Sequence, residues 1–299
     1  VSDIVFKIGP RINASGRIQN GKEAVDLLTE KDFSIALEKA GQINQYNETR
    51  KDLDKSMTEE ANNIVANLEG LADRRSIVLY NEEWHKGVIG IVASRLTEVY
   101  YRPAVVLTRT DDMATGSARS VSGFDVYKAI EHCRDLLENF GGHMYAAGLT
   151  MRPENVDEFT RRFNEYVERH IDPQMLIPQV EIDSELLFSD ITPQFRSTLN
   201  RFQPFGPGNN SPVFVTRGVS NRGDARLVGA EREHLKMDLI QGQKPNTLIP
   251  AIAFQQPALY EHVRSGRGID VCYTVVENHY RGTVTPQLRI KDIKKSGPK

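Results

Sequence analysis

The hydrophobic pattern of these 299 residues changes character twice, and the second change, at Pro173, rules out one uniform architecture for the whole chain. Phe33, Leu37, Ala40, Ile43, Tyr46, Leu53, Met57, Ala61, Ile64, Val65 and Leu68 recur at three- and four-residue steps up to Gly70, which is helical spacing. Thr29 with Asp32 resembles a capping box at the start of this stretch. Some 38 helical residues would span about 57 Å, too long for the core of a small domain. The middle, Gln42 to Lys51, is nearly all polar, as expected of a helix that crosses solvent between two domains. A coiled-coil seam would carry fewer polar positions there.

From residue 71 to 172 the chain alternates short apolar runs with amphipathic ones: SIVLY, GVIGIVASRLTEVYY, AVVLT, MATGSARS, VYKAIEHCRDLLENF, MYAAGLTM and VDEFTRRFNEYVERH. The order β-α-β-β-α-β-α predicts an α/β domain with a mixed, helix-covered sheet. Beyond Pro173 come short strand-like runs between turns, QVEIDSELLF, SPVFVTRGVSNRG, HLKMDLIQG, TLIPAIAFQ, GIDVCYTVVENHY and TVTPQLRIKDI. Helical spacing returns only around Ile191–Phe202 and near Pro257–Val263. Such a pattern predicts a small closed barrel or a sandwich. The fold class is therefore α/β plus all-β, with the tail KKSGPK read as mobile.

Composition narrows the function classes. No run of about 18 apolar residues exists, and VSDIVFKIGP has neither the basic start nor the apolar stretch of a signal peptide, so a cytoplasmic protein without membrane contact is expected. A first residue of Val fits a chain cut from something longer. Cys133 and Cys272 lie far apart with no Cys or His cluster beside either, as in a reducing compartment. The seven histidines are scattered, and no metal-ligand spacing is apparent. Net charge is −2, but residues 176–299 hold 16 Lys/Arg against 12 Asp/Glu, a mild basic excess that suits a phosphate track or merely a solvated surface.

Residues 116–148 place a Ser-Ala-Arg-Ser turn and a Gly-Gly-His turn on either side of one amphipathic stretch. Gly116, Gly141 and Gly142 permit close backbone approach, so Ser117, Arg119, Ser120 and His143 are candidates to converge on one phosphate. Ser117 and Arg119, two apart on a strand edge or turn, can point the same way; an ion pair of Arg119 with Asp125 is the plainer alternative. Arg11 and Arg17 flank INASG in a Gly/Pro-punctuated segment read as an exposed turn, where two guanidinium groups could lie near one phosphate backbone with Asn13 in reach of a base or sugar, or be merely solvated. His85 and Lys86 precede a helix beginning near Gly87, whose free N–H groups favour an anion, although tight packing of GVIGIVASRL with its small residues facing the sheet accounts for most of that motif. Arg201, Phe202, Phe205, Arg217, Arg222 and Arg226 mix aromatic and cationic groups near turns in the third part of the chain, though Phe202 and Phe205 equally read as core and FGPGN as a rigid corner.

Four blocks together, GPRINASGR at 9–17, WHKGVIGIVASRL at 84–96 followed by RPAVVL, the 116–148 segment, and FGPGNNSPVF at 205–214, make the chain resemble the RecJ family of single-strand-specific exonucleases, within the DHH phosphoesterase superfamily. No Asp-His-His triplet or Asp-x-Asp pair occurs near the N-terminus, so the resemblance is to the C-terminal part of such a protein. It implies residues 1–30 as the tail of a DHH domain, 31–70 as a connecting helix, 71–172 as a DHH-associated α/β domain and 173–299 as an OB-fold. It further implies a 5′-phosphate grip by Ser117 and Arg119, and a hydrogen bond from His143 to a phosphate oxygen. In the complete enzyme Mn²⁺ or Mg²⁺ would activate water, with none bound by this part and single-stranded DNA as substrate in repair and recombination. A single-strand-binding protein or helicase is the expected partner. Two alternatives stand beside it: a nucleic-acid-binding or partner-docking module without hydrolytic role, and a nanoRNase or cyclic-dinucleotide phosphodiesterase.

Overall fold

The computed structural model describes residues 3–68, 70, 73–242, 248–280 and 282–296. Contacts divide the chain into two units, Val1–Pro178 and Gln179–Lys299, each with its own core.

The first unit begins with a π-helical stretch, Ile4–Ile8, that leads into helix α1 (Gly9–Ile18). GPRINASGR is thus helix, not turn: Pro10 sits in the first turn, where its missing N–H costs nothing, and burial of Ala14 and Ser15 holds the segment. Helix α2 (Lys22–Thr29) follows, and then α3 (Phe33–Ala66). The cap of α3 is Asp32 alone, whose Oδ1 accepts from the backbone N–H of Ser34 (2.8 Å) and Ile35 (3.1 Å). Thr29 instead ends α2, its hydroxyl donating to Val25 O. At 34 residues α3 is about 51 Å long, but its polar middle is not bare. Ile43 and Asn47 are buried and Asn44 receives Arg11 of α1, so this middle is partly packed.

The sheet of this unit orders its strands β1 (Ile77–Tyr80), β2 (Ala104–Thr110), β3 (Met113–Arg119), β5 (Ala146–Met151) and β4 (Leu137–His143). Only β1 and β2 run parallel, so the sheet is mixed. Strand alternation sends Ala104 and Val106 toward Val88, Val92 and Leu96 of the segment entering helix α4 (Ile89–Tyr100), backed by Met57, Ala61 and Val65 of α3. Val105, Leu107, Ala114 and Ala118 point the other way, onto α5 (Val126–Glu131) and α6 (Val156–His170) with Phe159, Phe163 and Val167.

VYKAIEHCRDLLENF does not form one helix. It is helical only to Glu131, passes through a 3₁₀ turn at Arg134–Leu136, and becomes β4, whose Phe140 ring lies 5.7 Å from that of Tyr127. The extra strand makes the order β-α-β-β-α-β-β-α. Gly141 and Gly142 are correspondingly strand residues, paired with Gly148 and Ala147, and the hairpin turn is Met144–Tyr145. A Cβ on Gly142 would strike Ala146 O and Ala147, so glycine there allows the close strand approach.

The second unit closes on itself. Strand β7 (Phe214–Asn221) pairs with both β11 (Ile269–Tyr280) and β9 (His234–Gln241); β11 pairs with β12 (Thr283–Lys295), β12 with β10 (Leu248–Ala253), and β10 with β9. This ring of five strands is a barrel, with β6 (Ser184–Glu185) and β8 (Arg226–Val228) at its margins. Its interior holds Leu235, Met237, Leu239, Ala251, Val271, Tyr273 and Leu288, and α7 (Pro193–Asn200) and α8 (Tyr260–Arg264) add Leu199 and Val263. QVEIDSELLF contributes only two strand residues. In the tail, Lys294 and Lys295 end β12, and the last three residues lie outside those described.

Candidate nucleic-acid interface

An open cleft of about 530 Å³ lies where α1, the loop before α4 and strand β3 meet; Arg17, His85, Lys86, Gly90, Ser117 and Arg119 line it. Backbone proximity made possible by glycine builds it. A Cβ on Gly87 would collide with Arg17 O, so this loop touches the end of α1, and Arg17 Nη1 donates to Gly87 O at 3.0 Å. A Cβ on Gly90 would sit 3.0 Å from Ser117 Oγ and 3.1 Å from Arg119 Nη2, so the first turn of α4 lies directly against those two side chains. That turn has no side-chain cap, leaving its positive end toward the cleft.

Ser117 and Arg119 sit on β3, an inner strand of the sheet and not an edge or turn; its alternation puts both on the α4 side. Arg119 Nη1 donates to Ser117 Oγ (2.9 Å) and to Ala118 O (2.7 Å). Among the described residues no carboxylate pairs with Arg17, Arg119 or Lys86. Asp125, the alternative partner, caps α5 by accepting from Lys128 N–H. Burial first, and then the positive charge of Arg17, push the Arg119 guanidinium below its ordinary value. Guanidinium remains charged even so, and two like charges without a counter-ion favour a bound anion.

A shallower depression shares Lys86, Thr115 and Gly116 and continues over Gly148 and Gly141. His143 ends β4, exposed, with its ring edge-on to Tyr145. Its Nδ1 accepts from Tyr145 N–H at 3.2 Å, and His85 Nδ1 accepts likewise from Gly87 N–H at 3.1 Å. In each ring the neutral form therefore carries its proton on Nε2, presenting a donor away from the backbone.

Other sequence candidates lie elsewhere. Arg11 and Arg17 are six residues apart on a helix and not on a turn, about 240° around its axis, so they leave α1 in different directions. Arg11 is turned to α3, where its Nε donates to Asn44, and Asn13 is exposed on α1. The Ser120 hydroxyl donates to Phe124 O and shapes the turn after β3. In the barrel unit, Arg201 is exposed after α7, and Phe205 packs partly on the core within the corner closed by paired Gly206 and Asn209. Arg222 follows β7, its N–H donating to Asp238 O.

Of one face of the barrel, residue-level reading named only Arg226. Cross-strand registers align Arg226 with Lys236, Lys236 with Ile252, and Ile252 with Arg289, an outward row between buried neighbours. At its end Phe254, 41% exposed, has the Arg289 guanidinium 5.1 Å from its ring centre and the His234 ring edge-on at 4.9 Å. The available signal was an aromatic just past a strand, in AIAFQQ.

A profile of the RecJ OB domain matches residues 182–292, and a DHHA1 domain profile matches 73–169. The single-stranded-DNA-specific exonuclease RecJ of Bacillus subtilis is 36% identical over 96% of this chain. This chain belongs to the RecJ family. RecJ of Haemophilus influenzae is 33% identical over 97% of the chain. The crystal structure of RecJ from Thermus thermophilus in complex with Mn²⁺ superposes with a TM-score of 0.82 at 27% identity, covering 99% of this chain and 42% of that one. The chain spans 36% of the Bacillus and 51% of the Haemophilus protein. Among the described residues no group of three or more His, Cys, Asp or Glu is placed to hold a metal. Nor, among them, is any helix long and apolar enough to cross a membrane.

Proposed function

We propose that this chain is the substrate-gripping part of a RecJ exonuclease that degrades single-stranded DNA from its 5′ end in recombination and repair. The observation that carries the reading is the pair Arg17 and Arg119, facing one cleft without a carboxylate partner among the described residues. A terminal phosphate carries the charge and the acceptor oxygens that two guanidinium groups, Lys86 and the Ser117 hydroxyl satisfy. The α4 dipole adds to the attraction, and His143 Nε2–H is a donor for a phosphate oxygen as charge develops there. In the barrel unit, Phe254 offers a stacking surface and the Arg226, Lys236 and Arg289 row a track for the backbone. Mn²⁺ or Mg²⁺ supplies water activation in the whole enzyme, while this chain's residues bind, orient and donate.

The same reading makes the protein cytoplasmic, which two free cysteines support, and makes a single-strand-binding protein or helicase the kind of partner that delivers its substrate. In the full-length protein, Arg119→Ala is expected to raise KM for a 5′-phosphorylated single strand about 5- to 150-fold, the equivalent of about 1–3 kcal/mol, with a smaller effect on kcat. An unchanged KM would overturn the grip.

A further inference from the structure

The rim of the anion cleft is held by residues that do not line it. Trp84 precedes His85, Lys86 and Gly87, and it is clamped on both sides. Its indole N–H donates to Glu60 Oε2 on α3 at 2.8 Å, and the other oxygen of Glu60 accepts from Asn81 Nδ2 at 2.7 Å. From the sheet, the buried hydroxyl of Thr108 on β2 donates to Trp84 O at 2.5 Å. Asn81 Oδ1 accepts from Glu83 N–H and Asn81 O from Trp84 N–H, so the turn cannot shift at one end alone. With Trp84 4% exposed and packed on Val88 and Val92, the next three residues inherit its position. They place the His85 ring, the Lys86 ammonium and the Gly87 carbonyl that fixes Arg17.

We propose that Glu60 and Thr108 are positioning residues for anion recognition, acting through Trp84 to fix the rim that completes the cleft. The proposal rests on the cleft being an anion site. Cutting the clamp would leave the fold and the β3 wall of Ser117 and Arg119 in place while freeing the opposite wall. Its signature is therefore lost discrimination, not lost structure. Thr108→Ser keeps the hydroxyl and Thr108→Val removes it at nearly the same volume. Glu60→Ala removes both acceptors from a solvent-facing position, where misfolding is least expected.

The chain has one tryptophan, so its emission reports the rim directly. Wild type and variants are to be titrated with the same single strand carrying a 5′-phosphate or a 5′-hydroxyl, following Trp84 emission and anisotropy of a 3′ dye, with thermal unfolding as control. The expected result is that Thr108→Val and Glu60→Ala each lower the preference for 5′-phosphate about three- to tenfold. Affinity for the 5′-hydroxyl strand should hold, Thr108→Ser should keep the wild-type preference, and Trp84 emission should respond to the phosphorylated strand in wild type and Thr108→Ser but not in Thr108→Val or Glu60→Ala. If wild type discriminates and both clamp variants discriminate equally well, the positioning role is wrong. If wild type itself shows no preference, the anion-site reading has failed instead, and this proposal with it. Should Thr108→Val not fold, Glu60→Ala alone decides.

Discussion

Glycines decide the cleft as much as its cations do. Gly87 and Gly90 allow a loop to touch the end of α1 and a helix turn to lie on Ser117 and Arg119; side chains there would push the two walls apart. Gly87→Ala should destabilise the first unit by about 1–3 kcal/mol, because its Cβ would overlap the Arg17 carbonyl. Chemical denaturation checks this, and a midpoint equal to wild type would mean that α1 yields without cost. The two-residue spacing of Ser117 and Arg119 was legible because strand alternation alone puts both on one face. The placement of Arg11 and Arg17 was not legible because it depends on whether the intervening residues are turn or helix, and Gly and Pro at the ends of GPRINASGR suggest turn while packing of Ala14 and Ser15 makes helix. Glu60 and Thr108 had no local signal at all: their partners are 21 to 26 residues away, and only the fold brings them to Trp84.

Between elements, a bidentate ion pair joins α3 to α4. Arg95 Nε and Nη2 donate to the two oxygens of Asp54 at 2.7 and 2.8 Å, and Asp54 is 4% exposed. Burial raises the Asp54 pKa, but the hydrogen bonds and charge of Arg95, with Arg50 and Thr58, outweigh it and leave the carboxyl below its ordinary value. A depressed carboxyl contributes stability that is complete above the unfolded pKa of about 3.9 and is lost as pH falls through the lower folded value. Asp54→Asn should thus cost about 1–3 kcal/mol at pH 7, and its deficit should shrink as pH drops below about 4. Denaturation of both proteins from pH 7 to 3 tests the sign; a deficit that grows on acidification would contradict it. The elements were mostly legible from period and punctuation, with β4 the instructive exception. Ile130, Cys133, Leu137 and Phe140 recur at helical steps, yet the strand forms because β5 has an open edge and Gly141 and Gly142 can lie against it, a tertiary demand that overrides local spacing.

At the scale of the whole molecule, each unit buries its own core, the two dividing at Pro178 and Gln179, and the change of pattern near Pro173 did not reveal which barrel face carries Phe254. Separate cores predict that Val1–Pro178 and Gln179–Lys299, expressed apart, each give a cooperative thermal transition; a noncooperative melt of either would show that it needs the other. In the barrel unit, Phe254→Ala should weaken single-strand binding by about 1–3 kcal/mol regardless of sequence, read by anisotropy, whereas an unchanged affinity would remove the stacking role. The central claim is that a cleft lined by Arg17 and Arg119, with no carboxylate partner for either among the described residues, reads a terminal phosphate. Its most direct test is equilibrium anisotropy of this chain against one short single strand bearing either a 5′-phosphate or a 5′-hydroxyl, at low salt with duplex as control. A preference of about fivefold or more for the phosphorylated strand, abolished by Arg119→Ala, is the predicted result; equal affinity for the two ends would contradict it.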